Sequence, residues 1–352
     1  MSLLHLVDTY IAQGEIVKAM EECFNNRHYN FGFIIGGMYN NHDRSKCPVF
    51  NSIYNKLSDS VNGHMRLKLV CNWCDSPDIR NWWNKMSKGD YKWNKIQLVL
   101  EEPIDYFVVI NKPFDMNMYI DKSRTILFHM EPNMKQNKHI WGEWADPSPE
   151  SLYYCGTHDK TFNNNEWNIS KTYNQLSTET IIKNKDFDNT ISSVLSEKYN
   201  DIGHITRIDF AKFLEQNNVQ IDVFGSNHFN WKNYKGSLPY HQKDNAMLPY
   251  KYVFNVENQP IKNYYTEKII DGILAECLVF YYGCPNISEY IDERSYVQLD
   301  MNDFSKSLQI IQDAMAGNLW EERLPYILKS KYNILNKSQF FPRIEEILTN
   351  HT

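Results

Sequence analysis

The chain has 352 residues, a formal net charge of −6 at pH 7 and a pI near 6.0. This acidic balance argues against nucleic acid as the main partner, because phosphate backbones favour a basic protein face. The hydrophobic fraction of 42% is ordinary for a soluble globular protein, and the length is sufficient for two domains with separate cores.

Cysteine usage and the amino terminus indicate the compartment. The seven cysteines are odd in number and scattered, which favours a reducing compartment over a disulfide framework. The sequence contains no run of about 18 apolar residues, so no membrane span is expected. Residues 1–15 include acidic side chains and no basic segment, so no signal peptide is predicted. We therefore expect a cytoplasmic protein.

Residues 1–62 are predicted to form a helical extension. Apolar residues from Leu3 to Ile11 share one helical face, Gly14 interrupts the pattern, and a second apolar face runs from Ile16 to Phe24. This spacing predicts an αα-hairpin. Its expected role is packing or homo-oligomerisation rather than catalysis.

A first α/β domain is predicted over residues 63–165. Its strands are expected at Leu67–Val70, Ile96–Leu100, Tyr106–Ile110, Thr125–His129 and Leu152–Cys155. Ser76 and Pro77 are expected to begin a helix, with Ser76 as its N-cap. Strands that alternate with helices or short loops indicate a parallel sheet.

A polar Asn- and Lys-rich segment at 163–189 has the composition of an interdomain linker or flexible loop. A second α/β domain is predicted over residues 166–352, so its first residues overlap this segment. Its further strands are expected at Ser192–Leu195, Ile221–Phe224 and Tyr296–Leu299, and its helices at Arg207–Leu214, from Asp303 to about Ala316, and near Leu319–Ser330 and Phe341–Thr349. Two Rossmann-like domains joined by a linker fit the α/β GT-B architecture of glycosyltransferases, in which the two domains face an active-site cleft.

The stretch Lys251–Ile287 carries the most information about chemistry. Tyr252–Val256 and Leu278–Tyr282 are predicted buried parallel strands, joined by a polar loop and an apolar helix with Thr266 as its N-cap. Hydroxyls, a carboxylate and an ammonium gather in Tyr264–Lys268, at the positive end of the helix dipole. Amide groups and a lysine suit phosphate, a carboxylate suits ribose hydroxyls, and an aromatic ring suits a base. The stretch therefore predicts a sugar-nucleotide site.

The same stretch resembles glycosyltransferase family ten, the α-1,3-fucosyltransferases. The matching segments are LKLVCNW at Leu67–Trp73, ILFHMEP at Ile126–Pro132, IDVFG at Ile221–Gly225, FNVEN at Phe254–Asn258, YYTEK at Tyr264–Lys268 and VFYYGCPN at Val279–Asn286. Arg207 opens the predicted helix before Ile221–Gly225, as the family's arginine does. The resemblance covers about residues 66–350 and leaves residues 1–62 outside it.

The resemblance implies an inverting, metal-independent transfer of L-fucose from GDP-fucose to a hydroxyl of an acceptor glycan, with no cofactor. The donor-binding residues that it implies are Arg207, Glu257, Asn258, Tyr264, Glu267 and Lys268. Among these, Lys268 and Arg207 would face the diphosphate, and Glu267 would accept hydrogen bonds from the ribose hydroxyls. Glu131, just after a predicted strand, would be the general base.

The residue types agree with such a reaction on physical grounds. Negative charge develops on the leaving phosphate as the glycosidic bond breaks, and cations and helix-terminal amides stabilise it where no metal is used. An inverting displacement also needs one carboxylate to take the proton of the attacking hydroxyl. Two alternatives stay open: the same fold with another nucleotide sugar, or a non-catalytic sugar-nucleotide or glycan-binding protein in which residues 1–62 are the interaction module.

Three other features are expected to be structural. The DxD triplet Asp186–Asp188 lies in the polar segment and is predicted to be a solvated loop. Cys71 and Cys74 form a CxxC without the second pair that zinc requires, so we predict two thiols at a strand end and no metal site. His129 and His158 are predicted to be ordinary residues of the cleft wall.

Overall fold

The computed structural model describes residues 9–10, 13, 15–25, 64–101, 104–114, 120, 124–128, 130, 154–156, 166–225 and 230–350. The chain divides into two compact units: unit 1 is residues 1–157 with 344–352, and unit 2 is residues 158–343. None of the helices within the described ranges combines the length and apolar character needed to cross a membrane.

Unit 1 is built on a largely parallel sheet. Its described elements are α1 (Ile16–Asn25), β1 (Met65–Cys71), α2 (Ser76–Asn84), β2 (Lys92–Trp93), β3 (Ile96–Leu98), β4 (Tyr106–Ile110), β5 (Thr125–Phe128) and β6 (Tyr154–Gly156). The described strands pair in the order β2-β3-β1-β4-β5-β6, with β2 antiparallel to β3 and the other neighbours parallel. One face packs on a buried apolar cluster that includes Val70, Phe107 and Leu127.

Helix α2 begins differently from the prediction. Asp75, not Ser76, is the N-cap, and its side chain accepts a hydrogen bond from the backbone N–H of Asp78 at 3.0 Å. Ser76 and Pro77 are therefore the first two helical residues. Aspartate and serine are about equally favoured as N-caps, so two adjacent candidates cannot be ranked from sequence alone.

Only part of the predicted N-terminal extension lies among the described residues. Helix α1 overlaps the second of the two apolar faces expected there, and its Ala19 and Cys23 are buried. The remainder of the αα-hairpin falls outside the described residues, so the extension as a whole stays a prediction.

Unit 2 carries a second parallel sheet, which confirms the predicted class of two Rossmann-like units. Its elements are α3 (Tyr173–Thr178), β7 (Ile191–Leu195), α4 (Ile202–Gln216), β8 (Ile221–Gly225), β9 (Tyr234–Gly236), α5 (Asp244–Met247), β10 (Tyr252–Val256), α6 (Glu267–Leu274), β11 (Leu278–Tyr282), β12 (Tyr296–Gln298), α7 (Phe304–Ala316), α8 (Leu319–Asn333) and α9 (Phe340–Asn350), the last of which continues into unit 1 from residue 344. Its described strands pair in parallel in the order β12-β11-β10-β7-β8-β9.

The expectation of a linker is wrong for the described residues 166–189. Helix α3 in this segment has a full capping box, formed between Thr172 and Gln175. Trp167 is completely buried, and Leu176 is 2% exposed. Scattered single apolar residues anchor the segment to unit 2, and a composition-based prediction misses such anchors because it looks for periodic ones.

The chain connectivity of unit 2 fixes where a ligand is expected. Strands β8 and β9 lie on one side of β7, whereas β10, β11 and β12 lie on the other. The order therefore reverses between β7 and β10, and the loops after these two strands diverge there. In open parallel sheets such a topological switch point, at the carboxyl ends of the strands, is the usual place for a nucleotide.

Candidate functional site

A cavity of about 330 Å³ opens at the switch point of unit 2; we call it the switch-point cavity. The ends of β7, β8 and β10 form its floor. Its polar wall is Ser196, Arg207, Lys243, Glu267 and Lys268. Three of the predicted site residues, Arg207, Glu267 and Lys268, are thus brought together although they are up to 61 positions apart in the chain.

The loop between β10 and α6 is held by Glu257 and Thr266. Thr266 caps the helix as predicted: its hydroxyl oxygen accepts from the backbone N–H of Lys268 at 3.3 Å. Glu257 accepts from the backbone N–H of Thr266 at 2.8 Å and from its hydroxyl at 2.9 Å. Because the Glu257 side chain is fully buried, its oxygens act within the protein and fix the start of α6.

Lys268 is held at the helix start by charge. Its ammonium lies 3.1 Å from a carboxylate oxygen of Glu257 and 3.6 Å from one of Glu267, and it donates to the Thr266 hydroxyl at 3.0 Å. Burial alone would lower the pKa of the Lys268 ammonium, but the two carboxylates outweigh burial and raise that pKa above its ordinary value. Lys268 is therefore a fixed positive charge at neutral pH.

The ion pairs continue across the helix to a lysine that the sequence did not single out. The ammonium of Lys243 lies 3.6 Å from Glu267 and 2.9 Å from Asp271, whose side chain is fully buried. We call the series Glu257–Lys268–Glu267–Lys243–Asp271 the charge ladder. Burial opposes the ionised form of Glu267, yet Lys268 and Lys243 more than offset it and lower the pKa of Glu267 to about 2.

Arg207 stands outside this ladder. It is the sixth residue of α4 rather than the opening residue that was predicted, and it is 7% exposed. Its guanidinium donates to Asn258 Oδ1 at 3.1 Å and to Ser196 Oγ at 2.7 Å, and its Nε has no partner. Within the described part of the chain, no carboxylate lies within 4.0 Å of it. Arg207 is thus a nearly buried cation whose charge is not neutralised by direct contact.

Asn258 orients Arg207 by accepting a hydrogen bond from its guanidinium. Asn258 also lines a second cavity of about 430 Å³, which the start of α4 and the loop after β10 enclose. A Cβ built on Gly203 would lie 1.7 Å from the backbone oxygen of Asn258, so the first turn of α4 packs directly on that loop. Arg207 lines both cavities. Tyr264, another predicted site residue, is 8% exposed in the same loop and lines neither cavity.

The predicted general base lies elsewhere in the chain. Glu131 falls outside the described residues, as do His129 and His158. The strand expected before it is present as β5, and Met130 is described and buried. The role of Glu131 therefore stays a prediction.

The thiols and the DxD triplet have structural surroundings. Cys71 Sγ and Cys74 Sγ are 3.3 Å apart and share a hydrogen bond at the end of β1. Asp188 pairs with Lys251 at 3.0 Å. In the described ranges, no three His, Cys, Asp or Glu side chains are grouped in a way that would hold a metal ion.

Sequence reasoning missed Lys243, Asp271 and Ser196. Asp271 left a signal: a carboxylate at i+4 from Glu267, on a helix otherwise buried through Ile270 and Ile273, needs a cationic partner. Lys243 and Ser196 left none, because only the tertiary fold brings them to α6 and α4.

Part of the chain that contains this site matches a known protein family. Residues 183–316 match the family model described as glycosyltransferase family 10 (fucosyltransferase) C-term. The match contains every residue of the charge ladder, together with Arg207 and Asn258. A search of curated protein sequences finds no match.

Several solved structures are similar in fold. An α-glucosyltransferase in complex with UDP and a 13-mer DNA containing a HMU base superimposes with a TM-score of 0.50 at 12% identity, covering 82% of this chain and 100% of that one. An α1,3-fucosyltransferase with GDP-fucose gives a TM-score of 0.46 at 15% identity (79% and 92% covered), and a glycosyltransferase from Rickettsia africae gives 0.44 at 10% (82% and 100%). At these identities the likeness concerns the fold alone.

The family match and the two parallel sheets agree with the resemblance stated from the sequence. Residues 183–316 are therefore similar to the C-terminal domain of glycosyltransferase family 10, and the chain is a glycosyltransferase.

Proposed function

We propose that the chain transfers L-fucose from GDP-fucose to a hydroxyl of an acceptor glycan, with inversion and without a metal ion. The observation that carries this proposal is Arg207: a nearly buried cation with no carboxylate within 4.0 Å in the described part of the chain, on a switch-point cavity that Lys268 and Lys243 also line. A buried unpaired cation is costly, and an anionic ligand at that place offsets the cost.

The donor's diphosphate is assigned to Arg207 and Lys268. Arg207 presents a planar fork of donors, which suits phosphate oxygens, and Lys268 is held charged at the amino end of α6, where backbone amides add to the positive field. Glu267, whose pKa is lowered to about 2, is fully ionised at neutral pH and accepts from the ribose hydroxyls. Asn258, which lines the second cavity, is assigned to the surroundings of the phosphates and the sugar. Tyr264 lines neither cavity, and its assignment to the same surroundings rests on the family resemblance.

The chemical step is a single displacement. As the bond between the anomeric carbon and the β-phosphate oxygen breaks, negative charge grows on GDP, and Arg207 and Lys268 stabilise it. The acceptor hydroxyl attacks the opposite face of an oxocarbenium-like sugar, and Glu131 takes its proton. Metal independence fits the presence of Arg207, a cation of the cavity that no carboxylate of the described residues neutralises by direct contact, beside the ammonium of Lys268.

Three substitutions test these roles. We expect Arg207→Ala and Lys268→Ala each to lower turnover roughly 10²–10³-fold, since each removes one donor that stabilises the leaving group. Glu131→Ala should lower turnover roughly 10²–10⁴-fold while GDP binding persists. Lys198→Ala, which removes an exposed cation of the loop after β7, is the matched control and should leave turnover unchanged. Near-wild-type turnover in any of the three removes that residue from the mechanism.

A second donor class has a specific observation in its favour, because the α-glucosyltransferase that shares the fold was solved with UDP. A thermal-shift panel of GDP- and UDP-sugars, followed by a donor-hydrolysis assay with and without a chelator, separates the candidates. Stabilisation by GDP-fucose with chelator-resistant hydrolysis supports the proposal. Preference for a UDP-sugar supports the second donor class. Binding without hydrolysis or transfer identifies a non-catalytic binding protein.

A further inference from the structure

Unit 2 contains another cavity, of about 710 Å³, which we call the α8 cavity. It lies between the segment Tyr173–Ile181 and one face of α8 with the turn that follows this helix. Glu276, which lines it, comes two residues before β11 begins, so the cavity is at the amino end of that strand. The switch-point cavity is at the carboxyl ends of its strands. The α8 cavity is therefore separate from the proposed donor site.

The walls of the α8 cavity are mostly apolar. Three aromatic and five aliphatic residues line it: Tyr173, Trp320, Tyr332, Leu176, Ile181, Leu324, Leu328 and Leu335. Leu328 is 43% exposed and Tyr332 is 61% exposed, so these two lie at the mouth. The volume is within the range of about 300–1,000 Å³ that is usual for small-molecule sites. Exposed apolar side chains beside such a cavity indicate an interaction site.

Two hydrogen bonds between the walls fix the shape of the cavity. The hydroxyl of Tyr173 donates to Asn336 Oδ1 at 2.9 Å and joins the start of α3 to the turn after α8. Trp320 Nε1 donates to the backbone carbonyl of Glu276 at 2.7 Å and so fixes the indole ring. A site whose walls are already held in place loses less conformational freedom when a ligand binds.

A buried ion pair supplies polar groups to this apolar surface. The ammonium of Lys331 donates to Glu276 Oε1 at 2.7 Å, and the two side chains are 7% and 9% exposed. Glu276 Oε2 retains accessible surface and accepts no hydrogen bond from the described part of the chain. Lys183 lies nearby but donates to two backbone carbonyls and does not line the cavity. The pair thus combines a free acceptor with an ammonium that has further protons to donate.

The position of Glu276 in the backbone adds to the evidence that its carboxylate is needed there. It directly follows the C-cap of α6 and has a left-handed backbone with φ of 62°. Glycine is the usual residue at such a position, because any side chain is disfavoured in that conformation. The chain therefore places a carboxylate beside the α8 cavity at a conformational cost.

The charges that line the cavity are neutralised in pairs. Glu276 contacts Lys331, and Glu179 contacts Lys171. Because each carboxylate has a cation in direct contact, the cavity presents no net charge to an ionic ligand. The switch-point cavity differs in this respect, since Arg207 there is not paired with a carboxylate in the described ranges. Charge complementarity therefore favours a neutral ligand.

We propose that the α8 cavity binds a small neutral molecule with a flat apolar body and a hydroxyl or amide group. The polar group donates to Glu276 Oε2 and accepts from the ammonium of Lys331. The flat body packs against the indole of Trp320 and the surrounding leucines, which suit a ring better than an open chain. This proposal does not rest on the proposed function, because it concerns the other end of the sheet.

Three related probes test this chemistry by saturation-transfer NMR on the full chain at pH 6. Umbelliferone is a neutral hydroxylated aromatic at this pH, its methyl ether has no proton to donate, and its carboxylated derivative is an anion. We expect a dissociation constant on the order of 1 mM for umbelliferone, the affinity typical of so small a ligand. The ether and the anion should bind about tenfold more weakly. Equal binding of umbelliferone and the anion, or no binding of umbelliferone, would overturn the proposal.

Substitutions in α8 locate the bound probe. Leu328→Trp fills the mouth of the cavity and should abolish binding of umbelliferone. Lys329→Trp, at the adjacent exposed position that does not line the cavity, is the matched control and should leave binding unchanged. Undiminished binding in Leu328→Trp would show that the probe lies elsewhere.

Joint replacement of the ion pair tests the assigned polar contact. Glu276→Leu combined with Lys331→Met removes both charges together, which avoids leaving one of them buried without its partner. In this double variant umbelliferone and its methyl ether should bind alike. A persisting tenfold preference for umbelliferone would contradict the contact with Glu276.

Two further results would identify a different occupant and overturn the proposal. Displacement of umbelliferone by GDP would place the probe in the donor site. Self-association of the chain in analytical ultracentrifugation, abolished by Leu328→Trp but not by Lys329→Trp, would assign the exposed side chains at the mouth to a contact between two copies.

Discussion

Glu267 sits at the centre of the charge ladder, 3.6 Å from each of two ammonium groups. Its pKa falls from an ordinary value of 4.5 to about 2, so ionised Glu267 stabilises the folded state. A depressed carboxyl pKa contributes stability that is fully present above the unfolded pKa and is lost as the pH falls through the folded pKa. The relevant window for Glu267 is therefore between about pH 4.5 and about pH 2.

We predict that Glu267→Gln lowers the free energy of unfolding more at pH 6 than at pH 3.5. From the two pKa values, the gap between wild type and variant should shrink by roughly 1–2 kcal/mol between these pH values. Urea unfolding at both pH values measures it. Glu197→Gln, which replaces an exposed carboxyl after β7, is the control. Its free energy of unfolding should differ little from that of wild type at either pH. A Glu267→Gln gap that stays constant or widens in acid contradicts the assignment.

Among individual residues, sequence reasoning found those site residues that lie near one another in the sequence. Glu257, Glu267 and Lys268 flank one strand–helix junction, and residue types at a helix start carry a physical meaning that can be read locally. Lys243 lies 24 positions before Glu267. Nothing local distinguishes it from a solvated lysine, because its role depends on how β10 returns to the other side of β7.

Helix α4 is placed by one close approach. Gly203 lies in its first turn against the backbone of Asn258, and Arg207 lies one turn farther along the same helix. Any side chain at position 203 displaces either the helix or the loop after β10, because a Cβ at 1.7 Å from a backbone oxygen is far inside contact distance.

Gly203→Ala should therefore weaken GDP binding by about tenfold or more and cost roughly 1–3 kcal/mol of stability, as is typical of overpacking. Calorimetric titration with GDP and urea unfolding measure the two effects. Gly317→Ala, after α7, is the comparison: its nearest non-neighbouring atom is Asp313 O at 3.2 Å, and GDP affinity should be normal. Wild-type GDP affinity in Gly203→Ala would show that the approach does not position Arg207.

Elements with a strong periodic pattern were predictable, and short ones were not. The strand–loop–helix–strand unit from Tyr252 to Tyr282 has the predicted strand bounds and N-cap. Strands β2 and β9 were missed because two or three residues, Lys92–Trp93 and Tyr234–Gly236, cannot display an alternation. They exist because a neighbouring strand offers unpaired backbone groups, which is a property of the sheet.

The molecule as a whole consists of two compact units, and the last residues of the chain belong to the first of them. Residues 344–352 add three buried aliphatic side chains, Ile344, Ile347 and Leu348. Glu345 accepts hydrogen bonds from Trp93 Nε1 at 3.1 Å and from Asn94 Nδ2 at 2.8 Å. The β2–β3 hairpin of unit 1 is therefore bonded to residues encoded about 250 positions later.

Truncation after Arg343 should destabilise unit 1 selectively. Fully burying one aliphatic side chain contributes about 1.5–3 kcal/mol, so the loss of three is comparable with the whole stability of many domains. Hydrogen exchange of the backbone amides at 92–98 should accelerate strongly, whereas GDP affinity, assigned to unit 2, should change little. Removal of residues 351–352 alone is the control. Unchanged exchange at 92–98 would contradict a stabilising role for the chain end.

The return of residues 344–352 makes unit 2 an insertion within the chain of unit 1. During synthesis the ribosome therefore releases all of unit 2 before the segment that completes unit 1 emerges. Domains ordinarily fold in the order in which they are made, with the amino-terminal one first. Here the order of completion is reversed: the later-encoded unit has its whole sequence first, and the earlier-encoded one waits for the last nine residues of the chain.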